Sequence, residues 1–201
     1  NGNESEKIGR GNPEKYLELF KVYEILLIDG ILNVEFVNSW ADKILENEEE
    51  SEYCFIEIST TKNINELITI LNKSSINCDN QTAERAVFGI LHEINDVKGL
   101  ELKKASKMVS KFAYTQNLAE FEKSFLYGLD DSIQLAEDRI YGDINILSYK
   151  FFEFLKIYDC FTWNNYENWK KLSANLEINL SVKIEKVMNL KSKKKSNWWK
   201  F

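Results

Sequence analysis

Apolar residues recur at three- and four-residue steps along most of this chain, the spacing that places side chains on one face of an α-helix. Tyr16, Leu19, Phe20, Tyr23, Leu26 and Leu27 form the first such face. Pro13 suits an opening helical turn, with Asn12 as its N-cap and Glu14 near the positive end of the helix dipole. Gly30 is a natural stop. A second helix is expected from about Asn33 through Phe36, Val37, Trp40, Ile44 and Leu45. It runs into Glu46-Asn47-Glu48-Glu49-Glu50-Ser51-Glu52, which puts carboxylates where a helix end prefers cations, so this stretch is expected to fray or form a loop. Tyr53 to Ile58 fits either a strand, by its aromatic and Ile content, or a short buried helix, by its length; helix is the reading adopted.

The same spacing predicts helices over residues 63–72, from Asp79 or Asn80 to just before Gly99, and over 102–114, 118–129 and 130–141. Residues 144–161 are the most apolar part of the chain and are expected to form a central helix. A last helix is predicted from Tyr166 through Trp169, Leu172, Leu176, Leu180, Ile184 and Val187. Residues 1–12 lack periodicity and read as a mobile lead-in, and residues 191–201 as a basic, aromatic tail. No repeat of 20 to 50 residues is visible. The expected fold is therefore all-α, a single-domain bundle of stacked antiparallel helix pairs over residues 13–190.

Composition supports this. One Pro and eight Gly in 201 residues are few for a strand-rich fold, and 44% hydrophobic with 29% charged residues suits a globular chain. Cys54, Cys78 and Cys160 are odd in number and widely spaced, which argues for reduced thiols and a cytoplasmic setting rather than a disulfide framework. No run approaches the ~18 apolar residues that a membrane span needs. The chain begins without Met, which leaves a processed leader or a larger parent protein open.

Candidate chemistry is sparse. His92 is the single histidine. His92-Glu93-Ile94-Asn95-Asp96 partly follows the helical zinc pattern of metalloproteases, but Asp96 stands at the second ligand position and no third ligand is evident, so a surface histidine is the better reading. Nothing ties His92 to a cysteine nucleophile, and no phosphate-binding loop, dinucleotide fingerprint or nucleophile elbow occurs. Carboxylate pairs such as Asp130 and Asp138 can be drawn as a hydrolase site, yet acids most often just solvate helices. Neither a metal nor a cofactor is expected.

Charge is the more informative feature. The net charge is −6, acids far outnumber bases up to Ile58, and bases exceed acids from Trp163 to the Lys193-Lys194-Lys195 tail. Runs of this kind commonly serve only solubility. Read functionally, an acidic face speeds association with a basic protein and disfavours direct contact with nucleic acid phosphates. The tail interleaves Lys with Trp198 and Trp199, a phosphate- or membrane-compatible pattern too short to outweigh the acidic domain.

Three stretches carry a resemblance. They are Ile28-Asp29-Gly30-Ile31-Leu32 with Val37-Asn38-Ser39-Trp40-Ala41-Asp42, the Glu-rich turn into Phe55-Ile56-Glu57-Ile58-Ser59, and Ile140-Tyr141-Gly142-Asp143 before residues 151–161. Together they resemble the small helical immunity proteins of bacteria, encoded beside polymorphic or contact-dependent toxins. The resemblance spans about residues 16–161 and implies a non-catalytic inhibitor of one cognate protein toxin; the acidic charge adds a basic nuclease as one candidate for it. The family offers no universal binding residues. From charge and aromatic content, the expected contact surface is Trp40, Glu46, Glu48, Glu49, Glu50, Glu52 and Tyr53. The alternatives are a carboxylate-centred hydrolase and a helical scaffold or regulatory domain of a larger protein.

Overall fold

A computed structural model of the chain describes residues 13–47 and 52–190. The lead-in at 1–12, the tail at 191–201 and residues 48–51 of the acidic run lie outside the described residues. Those described are helices joined by short turns, with no strand among them, so the all-α expectation holds. The chain divides into two compact units, residues 13–83 with 164–170, and residues 84–163 with 171–190.

The first unit opens with a 3-10 turn, Pro13–Tyr16, leading into α1, Leu17–Ile28. Leu19, Phe20, Val22, Tyr23, Leu26 and Leu27 are all buried, and so are Glu18 and Glu24. A buried carboxylate needs partners to offset its desolvation. Glu18 accepts the Asp79 N–H at 2.9 Å and pairs with Lys170 at 3.1 Å. Glu24 accepts from Asn72 and Lys21, each at 2.9 Å. α2, Val34–Asn47, is capped by Asn33, whose side chain accepts the Phe36 N–H at 3.0 Å. The ambiguous stretch is helical and forms α3, Tyr53–Thr60. It packs against α2 through Phe55 and Ile58, and Asn38 of α2 donates to the Ser59 and Thr61 carbonyls at 2.6 and 3.0 Å. α4, Ile64–Ser74, is capped by Asn63 and packs on α1.

α5, Asn80–Lys98, starts at an Asp79 cap that accepts the N–H groups of Gln81 and Thr82. Its first turn belongs to the first unit and the remainder to the second. Ten consecutive residues, 82–91, are buried. The second unit continues with α6, Leu102–Ser110, followed by a 3-10 turn, Lys111–Tyr114. Then come α7, Glu120–Leu126, α8, Leu129–Glu137, and α9, Ile144–Lys156. After a kinked 3-10 segment, Trp163–Asn168, the chain forms α10, Trp169–Glu177, and α11, Leu180–Met188.

Two expectations change. The helix drawn over 144–161 ends at Lys156, and it is α5 that carries the more continuous burial in the second unit. α5 can be enclosed because of Gly89: a Cβ there would fall 2.3 Å from the Tyr158 carbonyl oxygen and 2.7 Å from the Phe161 Cβ. The backbone after α9 therefore lies directly on α5, an approach only glycine permits. The last helix is also two. Asn179 leaves helical geometry at φ −126°, ψ 11°, and its N–H bonds back to Leu176 at 3.3 Å in a tight turn. Its carbonyl then accepts the Lys183 N–H at 3.2 Å to begin α11. Leu176 and Leu180 stay buried on both sides of the break while Ile178 is exposed, so the apolar spacing survives it unaltered.

Candidate functional site

The expected contact residues fall at the junction of α2 and α3. Glu46 is in the last turn of α2 and is exposed, Glu52 is the residue before α3 and is exposed, and Tyr53 opens α3 with 69% of its surface accessible. Glu48, Glu49 and Glu50 lie outside the described residues. Trp40 is placed differently, half-buried and facing inward. Its ring centroid sits 5.5 Å from Tyr16, 5.9 Å from Phe20, 5.1 Å from Tyr23 and 6.0 Å from Phe55. Tilted and edge-on aromatic packing of this kind stabilises a core, so Trp40 supports the surface from behind.

Helical geometry adds a residue that the sequence pattern left out. Tyr53 and Ile56 lie one turn apart on the outer face of α3, and Ile56 is 44% exposed. Phe55 and Ile58 point to the opposite side and are fully buried. A strand would have set Tyr53 beside Phe55 instead, because alternate residues share a face. Glu57 is half-buried and Thr60 exposed on the same outer face. Ser59 donates to Asp42, tying the end of α3 to α2. Cys54 lies between the two faces, and its thiol is pushed up to about 11, chiefly by burial and then by the charge of Glu52. A thiol so shifted is protonated near neutrality and a poor nucleophile. Burial likewise raises Cys78 and Cys160, and all three cysteines are free of disulfides.

His92 lies in α5 with its Nδ1 3.5 Å from the Asp96 carboxylate, an ordinary pair one helical turn apart. Among the described residues no three His, Cys, Asp or Glu side chains are grouped to hold a metal. Asp130 and Asp138 sit at opposite ends of α8, where Asp138 accepts from Gln134 at 2.7 Å.

The second unit contains a buried polar cluster. Arg85 and Glu122 are both fully buried and paired twice, Nε to Oε1 at 3.0 Å and Nη2 to Oε2 at 2.9 Å. The Tyr158 hydroxyl donates to Glu122 at 2.9 Å, and the Ala119 N–H at 3.1 Å. Arg85 also donates to the Ser173 hydroxyl at 3.1 Å and lies 3.7 Å from Glu177. Burial works against the Arg85 charge, but the hydrogen bonds and charge of Glu122 outweigh it and raise its pKa. Tyr158 is held well above its ordinary value, first by burial and then by Glu122. Arg85, Glu122, Tyr158 and Ser173 are buried and satisfy one another, while Glu177 at the edge of the cluster is half exposed. The cluster joins α5, α7, α10 and the turn after α9, which is a structural task.

Neither a protein-family model nor a curated protein nor a solved structure matches this chain. No helix of the described residues is long and apolar enough to cross a membrane.

Proposed function

We propose that this chain is a non-catalytic protein-binding module of the immunity type, which neutralises a cognate bacterial toxin by docking an acidic surface onto it. The observation that carries the reading is the outer face of α3. Tyr53 and Ile56 stand exposed one turn apart over a face whose reverse is sealed into the core, with exposed Glu52 preceding Tyr53 and exposed Glu46 in the last turn of α2, which packs on α3. Exposed apolar anchors accompanied by carboxylates suit a protein interface, in which the anchors hold and the charges steer. The sign selects a basic partner and repels phosphates. Three free thiols support a reducing, cytoplasmic setting.

The test is calorimetric titration against the protein encoded by the neighbouring reading frame, at low and physiological salt. Tyr53→Ser with Ile56→Ser is expected to weaken binding by about two orders of magnitude, the loss of two anchors at roughly 1–2 kcal/mol each. Glu46→Gln with Glu52→Gln should cost only a few-fold but flatten the salt dependence. If both double variants bind as the parent does, α3 is not the contact surface.

A further inference from the structure

The turn that follows α8 is closed by a defined set of hydrogen bonds. The Arg139 N–H donates to the Ala136 carbonyl at 3.2 Å, and the Ile140 N–H to that of Leu135 at 2.9 Å, which the Tyr141 N–H also reaches at 3.2 Å. This is a Schellman closure, which needs a left-handed residue just past the cap, usually glycine. α1 ends in the same way with Gly30 at φ 64°: Gly30 donates to Leu27 at 3.0 Å and Ile31 to Leu26 at 2.8 Å. At α8 the left-handed residue is Arg139, at φ 56° and the one non-glycine residue with positive φ among those described. Gly142 follows at φ 92°, and a Cβ there would meet Ala136 at 3.6 Å and Leu147 at 3.7 Å. The turn is thus seated on both α8 and α9, and it holds a conformation that its sequence disfavours.

What the turn displays is apolar. In this motif the residue after the left-handed position normally covers an apolar side chain of the last helical turn. At α1 the residue in that position, Ile31, is half-buried. Ile140 instead is 70% exposed, Tyr141 79%, and Leu135 beneath them 37%. Around them stand Glu137, Asp138 and Asp143, with Asp130 and Asp131 farther along α8 and Arg139 as the one base of residues 129–143. Lys103 of the adjoining α6 takes up Glu137 at 3.4 Å, and the remaining carboxylates keep the rim negative. A backbone held against its preference to present uncovered apolar side chains points to function rather than to stability.

We infer that the α8–α9 turn is a second docking element, shaped for a basic protein whose apolar pocket receives Ile140 and Tyr141 while its lysines or arginines face Asp131 and Asp138. None of these residues belongs to α3, so a failure of either surface leaves the other intact. The test titrates the isotopically labelled protein with a peptide of alternating Lys and Leu, and in parallel with its Glu-Leu counterpart, following backbone amide shifts at low salt. Shifts at Asp131, Leu135 and residues 138–142, separate from any across Tyr53–Thr60 and seen with the Lys peptide alone, are expected. Ile140→Ser with Tyr141→Ser should weaken binding at least ten-fold, and Asp131→Asn with Asp138→Asn about three-fold with a flatter salt dependence. Both pairs are exposed, so an unchanged circular dichroism spectrum is expected of each variant, and the shift map of the parent protein needs no variant. Shifts that leave the turn unaffected, equal response to the Glu-Leu peptide, or no binding would each overturn the inference.

Discussion

Glu122, itself fully buried, accepts hydrogen bonds from two nitrogens of Arg85, from the Tyr158 hydroxyl and from the Ala119 N–H. Removing it leaves a buried guanidinium with only Ser173 and the half-exposed Glu177, 3.7 Å away, as partners. Breaking a buried pair from one side costs about 3–5 kcal/mol, because one charge is left without compensation. Glu122→Ala is therefore expected to lose stability on that order in denaturant unfolding. Arg85→Met combined with Glu122→Met should lose clearly less than the sum of the two single changes. Equal, additive losses would show that the two residues do not act as a pair. None of this was legible in the sequence: an Arg and a Glu on helices 37 positions apart read as surface residues, since both types are seldom buried. Trp40 was misplaced on similar grounds, because an aromatic residue beside an acidic run suggests an anchor, whereas its spacing to Tyr16, Phe20 and Phe55 across three elements makes it core.

At the scale of elements, three- and four-residue spacing located most helices, and side-chain caps at Asn33, Asn63, Asp79 and Asp143 begin four of them. Spacing does not report where a backbone leaves the helix and resumes in phase, which is why the break at Asn179 was invisible. It also undervalued α5, whose Thr82, Glu84 and Arg85 lower its apolar character although small Ala83, Ala86 and Gly89 let neighbours close around it. The Arg139 turn was equally hidden, since no glycine marks it. That turn gives a direct expectation. A side chain in left-handed geometry costs roughly 1–2 kcal/mol relative to glycine, offset in part by the greater freedom glycine has when unfolded. Arg139→Gly should then raise stability by about 1 kcal/mol, visible as a higher denaturant midpoint at unchanged slope. A lower midpoint would mean that the arginine side chain contributes more than its backbone costs.

For the whole molecule, all-α class, length and charge asymmetry were readable from composition, while the division into two compact units has no compositional marker: the chain passes between them within α5, at Asn164 and again within α10. The candidate site was half legible. Glu46, Glu52 and Tyr53 are exposed where the charge pattern located them, whereas Ile56 became part of the surface only once residues 53–60 were known to be helical. The chain is proposed to act by binding another protein through α3. Amide hydrogen exchange, measured on the protein alone and mixed with the product of the adjacent reading frame, tests that most directly. Slower exchange across Tyr53–Thr60 in the complex is the predicted result; a complex that leaves those amides exchanging at their free rate, or the failure of any complex to form, would contradict it.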